Sequence, residues 1–295
     1  MKTAGNETNP KLIDGRAIAH GMELDAVRRA RDLRDQGILP RLAIVYRGIH
    51  ADALSYRKTI MQRAARAGLD VQVVPLEPDC TAQVLLHTLE TLNQDDDIHA
   101  VLVQTPLPME QRRVVADHLV AEKDVEGITA VNLGRLVLDE ARVLPCTPAA
   151  IVALIDSRIE SLVGRHVVVV NRSPTVGRPL SQLLLSRRAT VTVCSSATTD
   201  LAVETRRGEV LVVAIGRARA IGAAYVRTGA VVIDVGINAD PQGSGVCGDV
   251  DLPSVLDRVA AITPVPGGVG PVTTAMLIAN AMALAGQRLE DALGS

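Results

Sequence analysis

Between residues 166 and 235 the chain carries four short, almost wholly apolar runs, "HVVVV", "ATVTVC", "EVLVV" and "AVVIDV", each followed by a turn or a helical stretch. Runs of β-branched residues without polar alternation leave no face for water, so they suit a parallel sheet covered on both sides. The aliphatic bias extends through all 295 residues: 47% are apolar, yet there is no Phe, no Trp and only three Tyr. Cores built from Val, Leu, Ile and Ala favour regular layers of strands and helices.

The same alternation occurs upstream. "RLAIVYRG" (41 to 48), "DVQVVPL" (70 to 76) and "HAVLVQTP" (99 to 106) read as strands, and residues 15 to 36, 52 to 67 and 81 to 93 carry apolar groups at helical spacing. Gly68 supplies a stop after the second helix. The chain is long enough for about two domains. A break is expected at "LPCTP", where Pro145 and Pro148 punctuate the chain and Thr147 is placed to cap a helix with Pro148 at its first position. The last expected helix is "TAMLIANAMALAGQRL".

Composition excludes several function classes. With 31 basic and 33 acidic residues, nucleic acid is not an expected partner. The four cysteines lie far apart without a C-x-x-C pair, and the six histidines show no ligand spacing, so no metal and no disulfide framework is expected. No apolar stretch is read as a membrane span, residues 1 to 9 read as a tail, and a cytoplasmic protein is expected.

"HVVVVNRSPTVGRPL" is a strand, a turn and the start of a helix, the setting in which a pyrophosphate meets backbone N–H groups and the positive end of a helix. Of the three glycines in G-x-G-x-x-G only Gly177 is present; Asn171 and Ser173 hold the earlier positions, and the fragment alone fits an ordinary turn equally well. The next strand ends in Cys194, Ser195 and Ser196 rather than the acid that binds a ribose 2′-hydroxyl, while Arg172 is placed to reach a 2′-phosphate. These residues favour NADP over NAD. Asn171, Arg172, Ser173 and Gly177 are the expected turn, with Ser196 near the ribose and Ile237 toward the nicotinamide.

"VPGGVGPVT" (265 to 273) is the most specific string, three glycines and two prolines bracketing backbone that something approaches closely. With "LIDGRAIA", "VQTPLP", "KDVEGITAVNLGRL", "LPCTP", "VGRPLS" and "VIDVGIN", in that order along the chain, it resembles the bifunctional methylenetetrahydrofolate dehydrogenase/methenyltetrahydrofolate cyclohydrolase family. The resemblance implies an α/β fold of two domains, an N-terminal catalytic domain (1–146 plus 272–295) and a Rossmann-type NAD(P)-binding domain (147–271), the C-terminal helix returning to the first. It also implies a tetrahydrofolate derivative as substrate and a homodimer.

Carried over residue by residue, the family's tyrosine is Tyr56, its glutamine Gln104, its lysine position Ile60 and its aspartate position Glu126. Pro266, Gly267 and Gly268 are expected to line the folate site. Tyr56 offers an aromatic face to the pterin. Lys58 points to the opposite side of its helix, and Arg63 lies further along and is too basic to release a proton. Removing a hydride from the methylene carbon requires alignment, whereas hydrolysing the methenyl cation requires proton transfer, which isoleucine cannot provide. The expectation is an NADP-dependent dehydrogenase with weak or absent cyclohydrolase activity. A paralogue using the cleft for a different one-carbon reaction, and a non-catalytic folate or nucleotide binder, are the alternatives.

Overall fold

The computed structural model describes residues 9–48, 51–241, 243 and 245–293, so all but the last residue of the expected N-terminal tail lies outside it. The described residues divide into two compact units, one comprising residues 9–18 and Thr147–Thr273, the other Ala19–Cys146 with residues 274–293.

The unit centred on residues 19–146 contains α1 (Gly15–Asp35, from Ala19), β1 (Arg41–Arg47), α2 (Ala51–Ala67), β2 (Asp70–Leu76), α3 (Ala82–Gln94), β3 (Ala100–Val103), α4 (Met109–His118) and α5 (Ala130–Val137). Its sheet is parallel with the order β2-β1-β3. Helices pack on it because the central strand is apolar on both faces: Leu42 and Ile44 join one buried cluster, Ala43 and Val45 the other. Gly68 ends α2 at φ +81°, a conformation that suits glycine.

The second unit runs α6 (Cys146–Asp156, from Thr147), β4 (His166–Val170), α7 (Gly177–Ser186), β5 (Thr190–Cys194), α8 (Leu201–Thr205), β6 (Val210–Val213), β7 (Val231–Asp234), β8 (Asn238–Ala239), β9 (Val246–Cys247), α9 (Leu252–Val255), β10 (Ala261–Ile262) and the start of α10 (Val269–Leu293). Five parallel strands follow the order β10-β7-β6-β4-β5. The chain steps from β4 to β5 on one side and then to β6 on the other. That reversal opens a crevice at the carboxyl ends of these strands, the place where such sheets take ligands.

Residues 9–18 pack with the second unit, because the Ile13 N–H donates to the Ile262 carbonyl at 2.8 Å and the Ile262 N–H to the Lys11 carbonyl at 2.8 Å, adding a rung beside β10. Two sequence expectations are corrected. Helix α6 starts at Cys146, so Thr147 lies inside its first turn and does not cap it. Residues Val269–Gln287 of α10 are long and apolar enough to cross a membrane by length and composition, contrary to the sequence reading, although 61% of that window is buried in the fold.

Candidate active site

At the carboxyl edge of the three-stranded sheet, β3 runs directly into Gln104, whose N–H continues the ladder by donating to the Val45 carbonyl at 2.8 Å. Its carboxamide, 6% exposed, reaches α2 at both ends: Nε2 donates to the Ala53 carbonyl at 2.6 Å, and Oε1 accepts from Arg57 Nη1 at 3.3 Å.

The loop holding Glu126 is built by its neighbours. The Val101 N–H donates to the Lys123 carbonyl at 2.6 Å, laying residues 123–125 alongside β3. The buried Lys123 Nζ donates to the carbonyls of Leu92, Asn93 and Asp95 at 2.7–2.8 Å, satisfying the open end of α3. Asp124 Oδ2 accepts from the Thr129 N–H at 2.8 Å and from Asn132 Nδ2 at 3.0 Å, which closes the turn into α5. Its Oδ1 is buried without a partner. Gly127 then turns at φ +64°, and a β-carbon there would sit 3.0 Å from the Pro145 nitrogen.

This loop holds Glu126 partly buried, and burial together with the negative charge of Asp124 raises its pKa to about 8. At neutral pH most of it carries a proton. The phenol of Tyr56 is pushed up by burial first and by the Glu126 charge second, while a hydrogen bond with the Thr274 side chain and the charge of Arg63 act the other way. Arg63 forms an ion pair with Glu23 at 3.1 Å. Lys58 is exposed.

Ile60 is 0% exposed and belongs to the buried cluster that also holds Ala64, Val125, Cys146, Leu277 and Ile278, and Tyr56 packs against that cluster. Tyr56, Ile60 and Glu126 therefore share one neighbourhood, and Gln104 is bonded to another face of the same helix, through Ala53 and Arg57.

Two participants escaped the sequence reading. Asn280 of α10 donates from Nδ2 to the carbonyls of Val125 and Leu144, both at 2.9 Å, tying the Glu126 loop to the "LPCTP" segment. An asparagine within "IANAMAL" was the available signal. The thiol of Cys146 donates to the Val125 carbonyl at 3.3 Å, and burial followed by the charge of Glu126 raises its pKa.

In the second unit the expected cofactor turn lies at the crevice. Asn171 Nδ2 donates to the Ala214 carbonyl at 2.5 Å, bridging the ends of β4 and β6, and Oδ1 accepts from the N–H groups of Ser173 at 2.8 Å and Gly177 at 3.0 Å. A β-carbon on Gly177 would lie 2.0 Å from the Asn171 carbonyl oxygen, so only glycine allows this turn. Beside it opens a cavity of about 500 Å³ lined by Asn171, Arg172, Ser173, Arg178, Ser195, Ser196 and Arg217, among others, a volume within the range of cofactor sites. Among the described residues no carboxylate lines it, while three arginines do. Arg178 and Arg217 were not singled out from sequence.

Ile237, 67% exposed, lines a smaller cavity with Asp234 and residues 264–271, including Pro266, Gly267 and Gly268. Close packing explains the glycines: a β-carbon on Gly15 would be 1.9 Å from the Gly268 carbonyl oxygen, and one on Gly268 would be 2.7 Å from that of Pro264. Asp234 accepts from the N–H groups of Gly236, Asp249 and Val250 at 2.9–3.0 Å, yet burial still raises its pKa to about 6.

Residues 13–126 match the tetrahydrofolate dehydrogenase/cyclohydrolase catalytic domain and residues 145–289 the NAD(P)-binding domain of the same family. The chain is 41% identical over 270 residues to the bifunctional protein FolD of Bacillus licheniformis, covering 91% of this chain and 95% of that one. Its fold is similar to the FolD methylenetetrahydrofolate dehydrogenase/cyclohydrolase of Campylobacter jejuni, with a TM-score of 0.90, 35% identity, and 94% and 99% of the two chains covered. It is also similar to the Trypanosoma brucei enzyme solved with NADP and an inhibitor, with a TM-score of 0.88, 34% identity, and 94% and 98% covered. The chain belongs to the tetrahydrofolate dehydrogenase/cyclohydrolase family.

Proposed function

We propose that the protein oxidises 5,10-methylenetetrahydrofolate to the 5,10-methenyl cation with NADP⁺ and hydrolyses that cation little or not at all above the uncatalysed rate. The observation that carries the second half is Ile60. At the position of the family's lysine stands an aliphatic side chain with zero exposure, in the buried cluster that also holds Ala64, Leu277 and Ile278. Hydrolysis of the cation adds water and must release its proton. A positioned base typically contributes about 10²- to 10⁴-fold to such a step, and Ile60 has none to offer.

Oxidation makes a smaller demand. The hydride leaves the methylene carbon for the nicotinamide with both electrons of the C–H bond, the remaining positive charge spreads over the two adjacent nitrogens, and no proton passes to the protein. NADP⁺ supplies the hydride acceptor when bound. Arg172, Arg178 and Arg217, in a cavity with no carboxylate among its described lining residues, support the 2′-phosphate form over NAD⁺. The chain's own task is alignment: Tyr56 offers a ring face to the pterin, Gln104 is held from two sides, and Glu126 lies near enough to Tyr56 to raise its pKa. Pro266, Gly267 and Gly268 are proposed to line the folate side and Ile237 the nicotinamide side, and the working form is proposed to be a cytoplasmic homodimer.

A different one-carbon reaction at the same site is the competing reading, favoured by the two changed positions taken together, Ile60 on the Tyr56 helix and Glu126. The discriminating experiment mixes purified protein with methylenetetrahydrofolate and NADP⁺ or NAD⁺ and follows reduced cofactor. Reduction with NADP⁺ in preference to NAD⁺ is expected; no reduction with either cofactor overturns the dehydrogenase reading.

A further inference from the structure

Gln104 has a partner whose placement the family reaction does not explain. Arg57 is 8% exposed, and its guanidinium carbon stands 3.5 Å from the centroid of the Tyr46 ring. Its Nη1 donates to Gln104 Oε1 at 3.3 Å. No carboxylate lies within ion-pair distance of it among the described residues. Removing a guanidinium from water without a counter-ion is costly, and a stacked aromatic ring with one neutral acceptor compensates only in part.

Among the described residues the geometry gives that charge one polar destination, Gln104 Oε1. Ala53 and Arg57 are four residues apart on α2, so they share a face, and Gln104 bonds to both. Tyr56 and Ile60, also four apart, occupy the neighbouring face. With the Ala53 carbonyl fixing Nε2 and Arg57 fixing Oε1, the carboxamide has one orientation. A cation on its oxygen also draws electrons from the amide, making the N–H bonds better donors.

We propose that Arg57 is a positioning residue that clamps and polarises Gln104 for folate binding and hydride transfer, with the Tyr46 ring as its support. The proposal rests on the functional reading above. Arginine keeps its charge throughout the neutral range, so Arg57 orients the carboxamide without relaying protons, in keeping with oxidation that is not followed by hydrolysis.

The test uses full-length Arg57→Met, Arg57→Lys, Gln104→Leu and the Arg57→Met/Gln104→Leu double variant. Expected for Arg57→Met is a loss of roughly 10- to 100-fold in kcat/KM for methylenetetrahydrofolate, the worth of one hydrogen bond to a charged group. The KM for NADP⁺ should stay within about twofold. Arg57→Lys, which keeps the charge and can donate one N–H, should recover part of the loss, and the double variant should be no worse than Gln104→Leu alone. Multiplying of the two single losses in the double variant, or wild-type kinetics in Arg57→Met, overturns the proposal. Should Arg57→Met not fold, Arg57→Lys against wild type carries the comparison, and unchanged kinetics there overturn it.

Calorimetric titration with 5-formyltetrahydrofolate separates this proposal from the functional reading. If the wild type binds the probe but oxidises nothing, the dehydrogenase reading fails, and Arg57 is judged by affinity. At least a tenfold weakening in Arg57→Met supports the clamp; equal affinity, or no binding by the wild type, overturns it.

Discussion

Glu126→Gln should make the protein more stable at alkaline pH than the wild type, and the advantage should fade as the pH falls. The folded-state pKa of Glu126 is raised from 4.5 to about 8 by burial and by Asp124. The folded protein therefore binds this proton more tightly than the unfolded chain does. Where the native state holds the extra proton, stability falls as pH rises, from near the unfolded value up to about pH 8, and then levels off. A difference of about 3.5 units corresponds to a ceiling of about 5 kcal/mol. Glu126 is only partly buried by area, and water access lowers the cost, so about 2–4 kcal/mol is the working figure. Glutamine has nearly the same shape and no charge at any pH.

The assay is urea unfolding of both proteins at pH 5, 7 and 9, followed by circular dichroism, since the chain has no tryptophan. Other titrating groups are common to both proteins and cancel in the difference. The Glu126→Gln advantage should grow by about 2–4 kcal/mol between pH 5 and pH 9. A difference that does not change with pH would show that Glu126 titrates like an exposed carboxyl, and the burial argument would fail.

The same group should shape catalysis: kcat/KM for oxidation should rise through an apparent pKa near 8 as the carboxylate forms and stabilises the developing cation, and Glu126→Gln should flatten that rise. Ile60→Lys should destabilise the protein by about 3–5 kcal/mol, because an amine replaces a fully buried alkyl group, yet raise catalysed hydrolysis, most clearly with Glu126→Asp. Unchanged hydrolysis in the folded double variant would mean that the missing lysine is not the reason. Arg172→Ala should weaken NADP⁺ by roughly 10- to 100-fold and NAD⁺ far less; equal weakening would remove the phosphate contact. Gly15→Ala should cost about 1–3 kcal/mol by forcing a methyl group toward the Gly268 carbonyl, read as a lowered melting temperature.

The strands of the second unit were legible because continuous apolar runs have few alternatives: β4 to β7 fall where the valine-rich runs predict. The two-residue strands β8, β9 and β10 carry no period to read. Helix α10 begins at Val269, five residues before the expected "TAML", because Gly270 and Pro271 read as breakers although proline is tolerated in a first turn.

Tyr56, Gln104, Ile60 and Glu126 were found through motif resemblance, which says which residue types stand where. It could not say that Ile60 has no exposure or that Glu126 lies beside the charge of Asp124. Arg57 was invisible for a related reason. Its partner Gln104 is 47 positions away, and nothing in "SYRKT" distinguishes a buried arginine from a solvated one. The rung between Leu12 and Ile262 likewise depends on a pairing that no local pattern encodes.

The central claim is that this chain oxidises methylenetetrahydrofolate but does not hydrolyse the product. Its most direct test supplies purified 5,10-methenyltetrahydrofolate to the wild-type protein and compares its decay with that in buffer, beside a parallel measurement of NADP⁺ reduction by the same preparation with methylenetetrahydrofolate. The expected result is many turnovers of NADP⁺ reduction per protein and methenyl decay no faster than in buffer. Decay that accelerates in proportion to protein concentration would contradict the claim, since it would mean that a group other than the missing lysine supplies the base.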